Sequence, residues 1–357
     1  MSRYAWAEPG VYPAAAGVHR IVCPLPNDGL KAVNVYAIED GDGLALVDTG
    51  WRDDGILGAL TAGLEQLGSS IERLTTIICT HSHYDHYGLS ALLSERSGAP
   101  VLLGEWERKN LSVALDRGAF ARDRAFQHAQ LRAHGASDLA DTLAARHFSI
   151  ERVQARGFAR LPDRWLSDGE RIELRDRTLV AHLTPGHSRG HLMFLDESAR
   201  VLFAGDHVLP HITPSIGFEG FSDGHGLEAF LSSLRASREL PADVVLPGHG
   251  PVFADLAGRV DELLAHHETR LAACVAALDD GPRTAAEVAR ALTWTRRERP
   301  FADLDTFNSM LATTETITHL ELLADRGDVA REQDDGVVRY AAALTVWSKT
   351  SAPSSIR

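Results

Sequence analysis

A short turn with three histidines and one aspartate follows directly after an apolar run. The β-branched run LTTIIC predicts a buried strand, and THSHYDH follows it at residues 80–86. His81 and His83 are two positions apart, so on an extended segment they point the same way. Asp85 and His86 follow where the chain turns and cannot easily face the same point. The spacing therefore predicts two adjacent metal sites, for which imidazole and carboxylate suit zinc, with iron or manganese as alternatives.

Three further ligand candidates follow later predicted strands. His187 lies in TPGHS, Asp206 in FAGDH and His249 in LPGHG, each shortly beyond a predicted strand end and beside a glycine. A single buried histidine is more often a hydrogen-bonded core residue, and Asp206 alone could cap a helix. Four strand ends that all deliver His or Asp favour one shared metal site. Asp48 in LVDTG is a further candidate, which as a lone residue could be a turn former.

The order of predicted elements indicates a layered α/β architecture. Residues 33–48 predict a hairpin around DGDG, residues 53–67 predict a helix, and short strands then alternate with helices. From about 105 to 165 the chain is rich in Arg, Ala, His and Leu and predicts a helical insertion. Such an insertion either caps the substrate or serves only as a packing element.

A second change in pattern lies near residue 260. Three predicted helices are followed by a hairpin in DVAREQDDGVVRY, which is the outline of a winged helix. The three helices are predicted over 261–278, 284–292 and 308–326. The predicted domains are 1–260, 261–345 and a tail over 346–357.

Composition and charge count against several classes of protein. No run of eighteen apolar residues is present, so we expect no membrane span, and the N-terminal segment shows no secretory signal. Three cysteines, far apart and without a C-x-x-C pair, favour a reducing cytoplasm and argue against a disulfide scaffold or a thiolate metal site.

The acidic balance counts against nucleic acid as a partner. The formal net charge is −13, and residues 261–357 contain 16 acidic and 11 basic residues, a balance of −5. Only Arg296, Arg297 and Arg299 form a cluster, which is typical of a solvated turn. We therefore expect a small-molecule substrate, and we interpret the C-terminal segment as a packing element that helps to wall the active site or forms a homodimer.

The motifs together resemble a known family. VDTG, THSHYDH, TPGHS, AGDH and PGHG match the five motifs of the metallo-β-lactamase superfamily in order, over roughly residues 17–260. The resemblance implies a four-layer αβ/βα sandwich with two metal ions at one edge of its sheets, as in glyoxalase II-like members. It assigns His81, His83 and His187 to the first metal. It assigns Asp85, His86 and His249 to the second, with Asp206 bridging both and Asp48 hydrogen-bonding near the ligands.

The C-terminal segment resembles the winged-helix tail of the β-lactamase-like protein 2 subgroup, which includes a mitochondrial endoribonuclease. GDHVLPHITPSIG also resembles the subgroup's segment after the aspartate. Two positions depart from it: His211 stands where the subgroup has Arg, and Arg189 stands where it has Pro. These departures leave open whether the pocket accepts the same substrates.

The resemblance implies a dinuclear metal hydrolase. A hydroxide held between two metals about 3.5 Å apart would attack a substrate carbonyl or phosphorus, with Asp85 orienting it. His191, His207 and His211 follow the ligands in sequence and are candidates for substrate contact. We expect the substrate to be a thioester or carboxylic ester of a small acyl compound. Phosphodiester cleavage, including RNA cleavage, and lactone hydrolysis are the alternatives.

Three other functions are disfavoured. A β-lactamase would be exported and would lack the bridging Asp206, and a flavodiiron oxygen reductase would have Glu where His83 stands. A metal-sensing regulator that binds DNA through its winged helix is the non-enzymatic alternative. The acidic C-terminal segment and the complete ligand set count against it.

Overall fold

The computed structural model of the chain describes residues 4–25, 29–145, 160–217, 226–295 and 297–343. The predicted tail over 346–357, Arg296 and part of the predicted insertion lie outside the described residues. The described strands are β1 (Gly10–Ala15), β2 (Val18–Pro24), β3 (Ala32–Asp40), β4 (Gly43–Val47), β5 (Leu74–Ile78), β6 (Val101–Gly104), β7 (Arg164–Leu166), β8 (Arg171–Glu173), β9 (Thr178–Leu183), β10 (Leu192–Asp196), β11 (Val201–Gly205), β12 (Val244–Pro247), β13 (Thr293–Trp294), β14 (Arg299–Pro300), β15 (Val329–Asp334) and β16 (Val337–Ala342). The described α-helices are α1 (Asp54–Gln66), α2 (Tyr84–Tyr87), α3 (Ser90–Ser97), α4 (Arg108–Leu115), α5 (Arg117–Ala133), α6 (Ser137–Ala145), α7 (Gly226–Ser237), α8 (Leu256–Ala276), α9 (Ala285–Ala291) and α10 (Thr306–Arg326).

Two mixed sheets lie face to face. Within the described chain, the first contains β1 to β7 in sequence order, antiparallel from β1 to β4 and parallel from β4 to β7. The second has the order β12-β11-β10-β9-β8, with β11 and β12 parallel. Apolar side chains of both sheets meet between them, as where the ring of Tyr36 packs edge-on against Phe203 with centroids 5.7 Å apart. The strands are buried on both faces because helices cover the outer sides.

Helices form the outer layers. Helix α1 begins after Asp53, whose side chain accepts a hydrogen bond from the Gly55 amide at 2.9 Å and so caps the helix. Its buried Leu60 and Leu64 pack on the first sheet, while Phe230 of α7 and Val260 of α8 pack on the second. The layer order is helix, sheet, sheet, helix, which confirms the predicted α/β architecture.

The predicted helical insertion is confirmed only in its first part. Helices α4, α5 and α6 occupy residues 108–145, but residues 164–166 form β7 at the edge of the first sheet, where Leu102 pairs with Arg164. The predicted end at about residue 165 falls within β7, and residues 146–159 lie outside the described part of the chain. A three-residue strand is too short to show a periodic pattern, and its position depends on pairing with β6, which is distant in sequence.

The C-terminal segment shares a hydrophobic core with the sandwich. Helix α8 begins at Leu256 after the capping residue Asp255, so the predicted boundary near residue 260 falls inside a helix. One buried cluster includes Phe230 of the sandwich together with Leu320 and Tyr340 of the C-terminal elements. The predicted order of three helices and a hairpin is present as α8, α9, α10 and β15–β16. The short β13–β14 hairpin was not predicted.

Membrane-spanning helices and the state of the cysteines are the subjects of two further expectations from the sequence. No helix in the described part of the chain is both long enough and apolar enough to cross a membrane. The cysteines, Cys23, Cys79 and Cys274, are buried free thiols and form no disulfide. None of them lies in the candidate metal groups formed by the described side chains.

Candidate metal centre

Four strand ends deliver the predicted ligands to one place. THSHYDH follows β5, TPGHS follows β9, and Asp206 and His249 follow β11 and β12. The carboxyl ends of these strands meet at one edge of the two sheets, so the seven side chains lie together. The groups that could hold a metal ion are His81/His83/His187, His81/His86/Asp206 and Asp85/His86/His249, with ligand atoms in each group within 4.8 Å of one another.

The carboxylate of Asp206 lies between the two predicted ligand sets. Its Oδ2 is 3.6 Å from Nε2 of His187 in the first set and 3.4 Å from Nε2 of His249 in the second. Its Oδ1 is 3.5 Å from Nε2 of His86. Asp85 also faces this point, with Oδ2 3.2 Å from Nε2 of His249. Asp206 therefore lies between the two ligand sets, and the bridging role that the family resemblance implies for it stays a prediction.

Four of the histidine rings are held from outside the cluster by their Nδ1 atoms. The partners are Thr80 Oγ1 for His81 at 3.0 Å, the Asp48 carboxylate for His86 at 2.7 Å, the Ser215 carbonyl for His187 at 2.9 Å and the Ala32 carbonyl for His249 at 2.7 Å. Such contacts fix the tautomer and the orientation of a ligating imidazole. Each of these rings consequently turns its Nε2 atom toward the centre of the cluster.

Several of the central atoms are buried without a hydrogen-bond partner. Among the described residues, Nε2 of His81, His86 and His249 and Oδ1 of Asp206 have none. A buried polar atom left unpaired costs about 1–3 kcal/mol, so four in one place indicate that something else satisfies them. Imidazole nitrogens and carboxylate oxygens form the donor set that zinc prefers, whereas calcium and magnesium prefer oxygen alone. The residues fit a zinc-type metal centre.

Asp48 holds the THSHYDH segment at two points, Thr80 and His86. It is buried and has a φ of 63°, an unusual backbone conformation for a non-glycine residue. Besides its contact with His86, its Oδ1 accepts a hydrogen bond from the Thr80 amide at 2.8 Å. It lies next to the ligands and hydrogen-bonds to them, as the family resemblance implied.

Glu107 is a buried acidic residue that the sequence reasoning missed. Its Oε1 accepts hydrogen bonds from the Ser188 hydroxyl at 2.5 Å and the Gly190 amide at 3.1 Å. Its Oε2 accepts from the Ser82 hydroxyl and from Asn110 at 3.0 Å. It thereby joins the THSHYDH turn to the TPGHS turn. No local pattern around Glu107 signals this role, because its partners lie far away in the sequence.

His191 is placed behind the cluster, which corrects its prediction as a substrate contact. Its Nδ1 contacts the Thr184 hydroxyl at 2.8 Å, and its Nε2 accepts a hydrogen bond from the Asp206 amide at 3.0 Å. The ring is fully buried, and burial, followed by the neighbouring His207, lowers its pKa well below the ordinary value. A neutral His191 therefore positions the backbone that carries Asp206.

The other two predicted substrate contacts differ from each other. His207 is fully buried against Phe230, with ring centroids 5.1 Å apart. It does not line the cavity that opens above the cluster, so its prediction as a substrate contact is also corrected. His211 is exposed and lines that cavity, so its prediction as a substrate contact remains open. Arg189, the second departure from the subgroup pattern, lines the cavity too.

A cavity of about 1600 Å³ opens above the cluster and is walled by three parts of the chain. His83, Asp85 and His249 lie at its floor. Helices α4 and α5 of the insertion form one wall, and α8 and α10 of the C-terminal segment form another. The insertion also packs on the C-terminal helices, where Leu143 of α6 meets Met310 of α10. Both segments thus shape the space above the predicted ligands.

Comparison with known proteins agrees with this geometry. The model of the Metallo-beta-lactamase superfamily matches residues 28–249, which include every predicted ligand. The chain belongs to the metallo-beta-lactamase superfamily. Members of the superfamily are metal-dependent hydrolases. A second model, Metallo-beta-lactamase-like, C-terminal domain, matches residues 271–343, which include the end of α8, helices α9 and α10 and the β15–β16 hairpin.

Relatives of this superfamily member are found among solved and curated proteins. A metallo-beta-lactamase family protein from Thermus thermophilus is 33% identical, with a TM-score of 0.77 over 92% of this chain and 99% of that one. The lactamase-like protein adaB of Aspergillus niger is 26% identical over 70% of this chain and 60% of its own length. An atrochrysone carboxyl ACP thioesterase of Aspergillus fumigatus is 28% identical over 66% of this chain and 42% of its own length. The chain thus spans less than two thirds of these two curated relatives.

Proposed function

We propose that this chain is a dinuclear metal-dependent hydrolase that cleaves thioesters of large, mostly apolar acyl groups. The observation that carries the proposal is the cluster of seven His and Asp side chains, five of which line the floor of a cavity of about 1600 Å³. The native metal in this proposal is zinc, two ions per chain. Bound divalent ions would supply a hydroxide at neutral pH and polarise the substrate carbonyl.

The protein side chains have separate tasks in the proposed mechanism. Asp206 lies between both ligand sets and holds them in one arrangement. Asp85 is the more exposed of the two carboxylates, at 19% against 8%, so it reaches the cavity and can orient a nucleophile as well as bind metal. His211, at the cavity wall, is the remaining candidate for contact with the substrate.

The size and lining of the cavity favour a bulkier acyl group than the small compound expected from the sequence. Small-molecule pockets usually measure about 300–1000 Å³, well below this volume. The aromatic residues that line it are Tyr4, Trp6, Trp51, Tyr84, Phe120, Phe126, Trp294 and Phe307. Trp51 and Tyr84 stack beside the metal floor with ring centroids 6.3 Å apart. Such walls suit an extended or polycyclic apolar group.

The charges around the cavity favour a thioester over RNA. Apart from the proposed metal ligands Asp85 and Asp206, five basic and five acidic side chains line it, so its walls lack the excess of positive charge that a phosphate backbone requires. The basic residues are Lys109, Arg124, Arg189, Arg259 and Arg270. Similarity to a fungal ACP thioesterase supports the same choice, although only part of that relative is matched. Ester and lactone hydrolysis use the same carbonyl chemistry and are the second candidates.

We further propose that the C-terminal segment acts as a cavity wall in a cytoplasmic enzyme. Its helices α8 and α10 face the cavity, and its winged-helix-like order of elements carries an acidic charge balance that does not suit nucleic acid. Because the C-terminal segment serves as a wall of the cavity, the proposal assigns it no DNA-binding role. The proposal also allows a homodimer that forms through the surface of the C-terminal segment that faces away from the cavity.

A substrate panel tests the function. Zinc-loaded protein is assayed with acetyl, decanoyl and naphthoyl thioesters, a homoserine lactone, bis-p-nitrophenyl phosphate and a short RNA. We expect kcat/KM to be higher by about tenfold or more for the two bulky thioesters than for acetyl, because each buried methylene contributes ~0.8 kcal/mol. A kcat/KM for RNA or for the phosphodiester that exceeds the values for all three thioesters would overturn the proposal. The His187→Ala variant serves as the control for background hydrolysis.

A further inference from the structure

One face of α8 runs along the cavity from the metal end to a distant polar end. The face consists of Arg259, Glu262, Leu263, His266, Thr269, Arg270 and Ala273, spaced as one side of a helix. Arg259 marks the near end, because it donates to the carbonyls of Leu209 at 2.6 Å and Ile212 at 2.9 Å, shortly after Asp206. Arg270 lies eleven residues further on, roughly 16 Å along the helix axis.

Arg270 is held in a fixed position at this far end. Its guanidinium carbon lies 3.8 Å from the ring centroid of Trp294, and its Nη1 donates to the Thr293 carbonyl at 2.8 Å. Its Nη2 is buried and finds no hydrogen-bond partner among the described residues. An arginine stays charged even when partly buried, so this site presents a fixed positive charge with unused N–H groups.

No described carboxylate neutralises this charge by direct contact. Glu315 of α10 also lines the cavity and acts electrostatically on Arg270, but no described ion pair within 4.0 Å joins the two side chains. Burial raises the pKa of Glu315 to about 7, against the opposite effect of Arg270, so its carboxyl is partly protonated at neutral pH. Arg270 is therefore free of a tight acidic partner within the described chain.

We infer that Arg270, fixed by Trp294, forms a distal subsite that binds an anionic oxygen group of the substrate, either a carboxylate or a phosphate. The inference rests on the proposed thioesterase function and adds a specificity-determining residue to it. A guanidinium binds carboxylate and phosphate oxygens through its N–H donors, which suits an arginine that lines the cavity and has no tight acidic partner among the described residues. The group it binds lies many bonds from the thioester. It is either a carboxylate at the end of the acyl chain or a phosphate in the thiol half.

Three thioesters separate these sources. They are the N-acetylcysteamine thioester of a decanoyl group, the same thioester with a terminal carboxylate on the acyl chain, and the coenzyme A thioester of decanoate. In the Arg270→Ala and Arg270→Gln variants we expect KM to rise about tenfold, equivalent to ~1.4 kcal/mol, for the thioester whose anion is bound. We expect kcat to stay within about twofold, and the uncharged thioester to be unaffected, because the subsite lies far from the metal floor.

The matched control is Arg290→Ala. Arg290 also places its guanidinium over an aromatic ring, 5.9 Å from the centroid of Phe301, in the same C-terminal segment, but it does not line the cavity. This variant should leave all three KM values unchanged. An equal rise in KM for all three thioesters in both Arg270 variants, or no rise for any, would overturn the inference.

A binding measurement makes the subsite testable without catalysis. Isothermal titration with free coenzyme A, with decanedioate and with decanoate should show tighter binding of one of the first two probes, which carry anionic groups that decanoate lacks, and this preference should disappear in Arg270→Gln. If the wild-type protein cleaves no thioester, the proposed function fails. The same titration would then still support the subsite if the preference is present, and reject it if no preference for either anionic probe is found.

Discussion

Asp48 and His86 form a buried hydrogen bond of 2.7 Å between a carboxylate oxygen and Nδ1 of the ring. The bond leaves Nε2 of His86 facing Asp206, so the carboxylate sets the direction in which this imidazole can bind an ion. Asp48 follows β4, and His86 lies in the short helix α2 that comes soon after β5. Parallel pairing of these two strands is what brings the side chains together.

Replacement of Asp48 should weaken metal binding without changing a ligand. In Asp48→Asn the amide presents a donor or a neutral oxygen to His86, so the ring loses its charged partner and its fixed orientation. We expect metal affinity or activity to fall about 10–100-fold, measured by competition with a chromophoric chelator. Asp53→Asn is the control, because Asp53 only caps α1 and should leave the metal affinity unchanged. Equal affinity in Asp48→Asn and the wild type would contradict the assigned role.

Replacement of Glu107 should loosen the two turns that carry the first ligand set. Glu107→Gln keeps the size of the side chain but turns an amide N–H₂ group toward two donors, either the Ser188 hydroxyl and the Gly190 amide or the Ser82 hydroxyl and the Asn110 side-chain amide. Loss of a hydrogen bond to a buried charge costs about 1.5–3 kcal/mol, so we expect lower metal stoichiometry and a lower Tm. The measurements are elemental analysis and calorimetry. Glu105→Gln, an exposed neighbour, should match the wild type in both.

Removal of a ligand should abolish turnover together with bound metal. His187→Ala takes away one ring of the first set, and Asp85→Ala takes away the carboxylate that faces the cavity. We expect no detectable thioester cleavage and less metal per chain by elemental analysis. His19→Ala removes a histidine that pairs with Glu39 far from the cluster and should retain both properties. Full activity in either ligand variant would reject the site assignment.

Removal of the metal should lower thermal stability. A ligand present at about a thousand times its Kd stabilises the folded state by ~4 kcal/mol. With an unfolding entropy of about 2.1 cal/mol/K per residue, each kcal/mol shifts the Tm of a 357-residue chain by roughly 1.3 °C. A chelator should therefore lower Tm by roughly 5 °C, and added zinc should restore it. The His187→Ala variant should show a smaller shift. An identical Tm with and without chelator in the wild type would mean that the centre binds no metal in the folded protein.

Acid should lower the unfolding free energy because two buried histidines in the C-terminal helices stay neutral in the folded state. Nδ1 of His267 lies 3.2 Å from Nε2 of His319, whose Nδ1 donates to the Glu315 carbonyl at 2.7 Å. Burial lowers the pKa of His319 to about 4 and that of His267 to about 2. Both stay neutral in the folded state, while in the unfolded chain they take up protons below a pKa of about 6.5.

The unfolding free energy should consequently fall as pH drops from about 6.5 toward 4. For His319 alone the loss is on the order of 3 kcal/mol, because about 1.4 kcal/mol accompanies each pKa unit. Urea unfolding at a series of pH values measures this. His319→Gln should flatten the slope relative to His19→Gln, a control outside the helices. Parallel slopes in the two variants would show that His319 does not contribute.

Local sequence pattern was sufficient for the positions of the ligands and for most elements around them. The apolar run before THSHYDH, and the glycines beside His187 and His249, are short-range signals of strands that end in sharp turns. Three residues at the edge of the first sheet, Arg164–Leu166, carried too little pattern to be read as a strand.

Only the tertiary structure decided which polar residues face the metal centre and which support it. Glu107 meets Ser188 across 81 positions, and no periodic signal links residues so far apart. His191 lies close to His187 in sequence, yet strand pairing turns it behind Asp206. Packing of α8 against the sandwich likewise places Arg270 at the cavity wall. The sequence alone determined which side chains could bind a metal, because ligand chemistry belongs to residue types. Their roles depend on long-range contacts, which exist only once the two sheets and the C-terminal helices have packed.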